Sequence, residues 1–135
     1  MYRLSKRSYE RLNGVNAILI GILTEAIKES PHDFGVPEDG GLRTDERQKE
    51  LYNIGRVGDM SNNVVTYCDG VDKKSRHQFA EAFDIFGYKE GKASWNEDVL
   101  SEIANHIVSV ANVNFGVVLT WGGDWKNKDM PHFQL

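Results

Sequence analysis

The sequence predicts an α+β fold, an antiparallel sheet with helices packed on it, and three observations lead there. Two long stretches, over about residues 8–29 and from residue 94 to about Asn114, carry apolar side chains at the three- and four-residue steps of an amphipathic helix. Short runs rich in β-branched and aromatic residues, above all 117–121, read as strands. The elements follow one another as helix, strand, helix, loop, strand, helix, strand, strand. With 135 residues and no repeat, linker or low-complexity segment, the chain reads as a single domain over 1–135.

The first helix is placed by Leu12, Val15, Leu19, Ile22, Leu23 and Ala26, and Ser30-Pro31 stops it, since the residue before a proline avoids the helical region. Phe34 to Leu42 is short and glycine-rich and reads as a strand with a turn at 38–41. Thr44 suits the N-cap of a second helix, with Asp45 and Glu46 favourable against its dipole and Gly55 at its end. Residues 55–76 read as a long loop with a short strand at 64–68, and a loop of that length is more often functional than decorative. Residues 82–86 read as one buried strand carrying an acid. Ser94 and Glu97 fit a capping box ahead of the face made by Val99, Leu100, Ile103, Ile107 and Val110, and Gly116 follows as expected past a helix end. After the 117–121 strand, a Gly-Gly turn leads to Asp124 and Trp125, and 132–135 supply a last short strand.

The composition, 40% hydrophobic and 27% charged, is globular. A net charge of −4 argues against nucleic acid as the main partner, and the basic stretch Lys73, Lys74, Arg76 is too short to reverse that. No segment reads as transmembrane. The basic N-terminus precedes an apolar run, but Asn16, Gly21, Thr24 and Glu25 interrupt it, so it reads as a mature helix and not as a signal peptide. The lone Cys68 excludes an internal disulfide and a multi-cysteine zinc cluster.

Of the four histidines, His32 reads as a turn residue and His106 as an ordinary helical histidine. His77 is different. It lies seven residues before Asp84, whose flanking Phe83 and Ile85 imply burial, and a buried carboxylate requires a cation, a metal or hydrogen bonds. A structural ion pair would satisfy Asp84 as well as a metal would. The C-terminal run Asp129-Met-Pro-His132 adds a second histidine and a second acid. Two imidazoles and one carboxylate suit a catalytic zinc with an open fourth position, and a further acid nearby can take a proton from the attacking water. Asp59, Asp69 and Asp72 lie in the long loop without EF-hand spacing, so a solvated acidic loop is preferred there over a second, regulatory ion.

The pattern Ser75-x-His77-x6-Asp84 with Asp129-x-x-His132 resembles the zinc D-Ala-D-Ala carboxypeptidase and L-alanyl-D-glutamate endopeptidase family, which includes VanY-like enzymes and phage endolysin peptidases and shares its fold with the hedgehog signalling domain. Gly41-Leu-Arg43-Thr44, Gly91-Lys-Ala-Ser-Trp95-Asn and Trp121-Gly-Gly-Asp-Trp125 extend the resemblance over about residues 30–135. The resemblance implies one zinc per chain held by His77, Asp84 and His132, Asp129 as general base and later proton donor, and Arg43 as the group that polarises the scissile carbonyl or holds the oxyanion. Gln48, Ser75 and Trp121 are expected along the substrate groove. Ala80 stands where the family often has glycine, and the 55–76 loop matches nothing in it. The implied activity is cleavage of L-Ala–D-Glu in peptidoglycan stem peptides, by a monomer made in the cytoplasm without a signal peptide and released to the wall through the inner membrane. A carboxypeptidase or dipeptidase of the same family, or a non-catalytic zinc-bearing wall-binding module, are the alternatives.

Overall fold

The computed structural model describes residues 1–58 and 62–135. Its first helical stretch is two helices, α1 (Lys6–Arg11) and α2 (Ala17–Ala26), the second running into a 3-10 turn at Ile27–Glu29. The continuous helix expected over 8–29 breaks because Gly14 takes φ +87°, and because Asn16 caps α2 by accepting from the Ile18 N–H. A short strand β1 (Phe34–Gly35) is all that forms of the 34–42 strand, since the chain turns at Asp39, whose φ is +64°. Helix α3 (Asp45–Asn53) starts where Thr44 accepts from the Arg47 N–H, as the sequence indicates.

Residues 62–69 form no strand, contrary to the expectation for Val64–Cys68. Their polar groups are used sideways: Gln48 donates to Thr66 Oγ1 and the Cys68 carbonyl, and Arg56 to the Thr66 carbonyl. The single strand expected over 82–86 is two strands, β2 (Ala82–Asp84) and β3 (Phe86–Lys89), in different sheets with Ile85 between them. Strand β4 (Lys92–Ser94) completes a hairpin with β3, which takes Ser94 out of the helix-cap position. Helix α4 (Glu97–Phe115) is capped instead by Asn96, which accepts from Asp98 and Val99, and it ends at Gly116 with φ +66°. Strands β5 (Thr120–Trp121) and β6 (His132–Gln134) follow, with a 3-10 turn at Gly122–Asp124 after β5.

The architecture is α+β as expected: the described residues form two antiparallel three-stranded sheets, in the orders β1-β3-β4 and β2-β6-β5, with helices packed on them. Helices α2 and α4 pack together, and Leu19, Ile22, Leu23, Ile103 and Ile107 are fully buried in the core between them and the sheets. Phe83 and Phe133 stack at 5.0 Å within the β2–β6 pair, burying large apolar area behind the strand residues that face the other way. In that pair Asp84 lies directly opposite His132. Among the described residues no helix is long and apolar enough to cross a membrane.

Candidate metal centre

Three chain segments bring His77, Asp84 and His132 together. His77 sits on a 3-10 turn (Arg76–Phe79) whose N-cap, Ser75, accepts from the His77 N–H, while Gln78 reaches back to accept from the Ser75 N–H. Ala80 closes that turn at φ +61°, the left-handed conformation in which glycine would be at ease. Asp84 and His132 face each other across β2 and β6. The result is a triangle of three atoms: His77 Nε2 to Asp84 Oδ1 is 3.2 Å, His132 Nδ1 to the same oxygen 3.2 Å, and the two nitrogens are 3.1 Å apart.

The hydrogen-bond partners fix what those atoms carry. His77 Nδ1 lies 2.9 Å from the Gly41 carbonyl, which can only accept, so the ring proton is on Nδ1 and Nε2 presents a lone pair. His132 Nε2 donates in the same way to Gln134 Oε1 at 2.9 Å, leaving a lone pair on Nδ1. Two imidazole lone pairs and a carboxylate oxygen thus converge with no donor between them. That donor set fits a zinc ion, for which nitrogen and oxygen ligands at about 2.0–2.1 Å in a tetrahedron stand about 3.3 Å apart. Burial pushes the His132 imidazole down, but the Asp84 carboxylate outweighs it, so its pKa lies above the usual 6.5. Burial likewise opposes the charge on Asp84, yet its contacts with His132 and His77 hold the carboxyl far below the ordinary carboxylate range.

Arg43 backs the centre from the far side of Asp84. Its Nη2 is 3.4 Å from Asp84 Oδ2, its Nη1 donates to Gln48 Oε1 and its Nε to the Asp39 carbonyl. Asp129 lies in the turn before β6, which is tied down from three directions. The Asp129 N–H donates to the Gly122 carbonyl, the His132 N–H to the Asp129 carbonyl, and the Trp121 indole to the Met130 carbonyl. Gly122 is required for this approach, because a Cβ there would collide with the Asp129 carbonyl oxygen. Asp129 is solvent-exposed, but surrounding protein desolvates its carboxyl and the Asp84 charge repels it, so its pKa is raised against the pull of His132, His77 and Arg43.

The three residues expected along the groove are placed as follows. Gln48 is fully buried and braces Arg43 against the 66–68 segment. Ser75, also buried, caps the turn that carries His77. Trp121 is half-buried against the core, and it is Trp125, 38% exposed, whose ring lies 5.2 Å from His132. Gly41 and Gln134 were missed as partners of the two histidines; Gln134 was legible, since residues two apart on a strand share a face. Of the loop acids, Asp69 already accepts from the Val71, Asp72 and Lys73 N–H groups, Asp72 is exposed, and Asp59 lies outside the described residues.

Known proteins similar to this chain are peptidases. The structure is similar to the crystal structure of the L-Ala D-Glu endopeptidase ChiX of Serratia marcescens, with a TM-score of 0.75 and 34% identity over 99% of this chain and 90% of that one. The L-alanyl-D-glutamate peptidase of Escherichia phage T5 is 25% identical over 136 aligned residues, covering 99% of this chain and 89% of the phage protein. The sequence profile of the phage L-alanyl-D-glutamate peptidases matches residues 1–133, and the chain belongs to that family.

Proposed function

We propose that this chain is a zinc-dependent endopeptidase that cleaves the L-Ala–D-Glu bond of peptidoglycan stem peptides. The observation that carries the reading is the convergence of three lone pairs, from His77, Asp84 and His132, beside an acid whose pKa is raised. One zinc would be held by those three residues and, when bound, would supply Lewis acidity and a water acidified towards neutral pH.

The chain's own residues do the rest. Asp129, kept close to His132 by the tied turn, takes the proton of the attacking water and delivers it to the leaving D-Glu amine. Arg43 holds the outer oxygen of Asp84, which leaves Oδ1 facing the histidines, and its charge stabilises negative charge developing on the scissile carbonyl. Gln48 and Ser75 act behind the site, one fixing Arg43 and the other the His77 turn. Trp125 supplies an apolar wall at the rim. Residues 1–135 act as one peptidase domain and as a monomer, on wall reached from the cytoplasm through an opened inner membrane.

The test couples metal content to product analysis. Protein purified without chelator or added metal should carry one zinc per chain, lost in His77→Ala, and should release new amino-terminal D-Glu from purified sacculi. Release of free D-Ala would move the activity to the carboxypeptidases of the wider family. Failure of wild-type protein to bind added zinc would remove the metal centre and the reading with it.

A further inference from the structure

Residues 83–88 lie in one extended run that changes sheets at Ile85 yet keeps a single alternation of burial. Phe83, Ile85 and Gly87 are buried, while Asp84, Phe86 and Tyr88 are half-buried on the opposite face. Gly87 marks the inner side, since a Cβ there would press on Val99 and Ile103 of α4. The outer face therefore carries a carboxylate of the metal centre and, two and four residues further on, two aromatic rings at about 7 and 13 Å by strand rise. Trp95, just past β4, widens the row: its ring is 5.8 Å from that of Phe86, which is 5.1 Å from Tyr88. The indole is 54% exposed. Exposed Lys89 and Lys92, paired in register, stand at the end of the hairpin.

We propose that the Phe86, Tyr88 and Trp95 face binds the glycan strand of peptidoglycan beside the stem peptide being cut. The proposal rests on the peptidase reading above. In peptidoglycan the L-alanine is joined by an amide to the lactyl group of a sugar, so the L-Ala–D-Glu bond lies only two or three residue lengths, about 7–10 Å, from the glycan. The aromatic row begins at that distance from Asp84 and on the same face. Pyranose rings present flat C–H faces that stack on aromatic π-faces, and Lys89 and Lys92 complement the carboxylates of neighbouring stems. A protein partner suits the patch less well, because three rings fall far short of the roughly 800 Å² per side of a stable interface.

The experiment compares kcat/KM for a disaccharide-linked tetrapeptide and for the same tetrapeptide without sugar, in wild type and Trp95→Ala, alongside binding of peptide-stripped glycan strands. Trp95 is exposed, so the variant should unfold at the wild-type temperature. We expect wild type to prefer the sugar-linked substrate, and Trp95→Ala to reduce that preference and the glycan affinity by about three- to tenfold, as for the loss of one stacking face. Cleavage of both substrates with a ratio indifferent to Trp95, and no glycan binding, overturns the platform and leaves the peptidase reading standing. Glycan binding that depends on Trp95, in a protein that cuts neither substrate, does the reverse.

Discussion

Replacing Gln134 with leucine tests whether the second histidine is held for metal binding. The change keeps the size of the side chain and removes the acceptor that takes the His132 Nε2 proton at 2.9 Å. His132 is only 6% exposed, so water cannot easily substitute, and a buried donor left unsatisfied costs about 1–3 kcal/mol. The same loss frees the ring to change tautomer, which turns an N–H towards Asp84 and His77 in place of a lone pair. Loss of such an outer partner lowers metal affinity by about 10–100-fold, or about 1.4–2.7 kcal/mol, so the two routes agree. Competition with a chromophoric chelator measures the zinc affinity directly, and thermal unfolding of metal-free protein measures the hydrogen bond. Gln134→Glu keeps an acceptor and should keep the affinity. Wild-type zinc affinity in Gln134→Leu, with unchanged stability, would refute the tautomer argument.

Other outcomes follow from the same geometry. Asp129→Asn should bind zinc normally, keep the melting temperature and lose about 10²–10⁴-fold in kcat, since it removes a proton acceptor and no packing; undiminished turnover would remove Asp129 from the mechanism. Gly41→Ala should destabilise the fold by about 1–3 kcal/mol, because the new Cβ collides with the Arg11 carbonyl oxygen and the segment it displaces carries the His77 acceptor. Hydrogen bonds from Arg47 hold the Asp39 carboxyl below its usual 3.8 against partial burial, so this pair contributes stability above about pH 4 that is lost as pH falls through the lower folded value. Arg47→Gln should accordingly be less stable than wild type by under about 1 kcal/mol at pH 6, with the gap closing towards pH 2 in chemical denaturation. Acid should also release zinc, because an imidazole binds metal only in its neutral form, and dialysis at pH 5 followed by metal analysis reads this out.

The helices that bury a regular apolar face were legible because packing and periodicity agree there, as along α4. What escaped the sequence was decided by neighbours distant in the chain. Ser94 and Glu97 satisfy the capping pattern, but pairing of Ser94 with Gly87 in the hairpin claims that residue first, and Asn96 becomes the cap. The alternation through 83–88 is unbroken, so nothing local marks the change of sheet at Ile85. The run Val64-Val65-Thr66 has strand propensity but, among the described residues, no strand beside it. The three proposed ligands and Asp129 were legible from residue types and spacing set beside a family pattern. Gln48 and Ser75 sit near the same motifs, and only the fold reveals that they stand behind the site.

Strand β6 is the middle strand of its sheet and the last of the three in chain order, and it carries His132. A nascent chain that has reached Pro131 therefore lacks both the strand that joins β2 to β5 and one side of the metal triangle. Sheet closure and completion of the triangle thus depend on the same three residues, His132–Gln134, and a chain cut before His132 should lose both together.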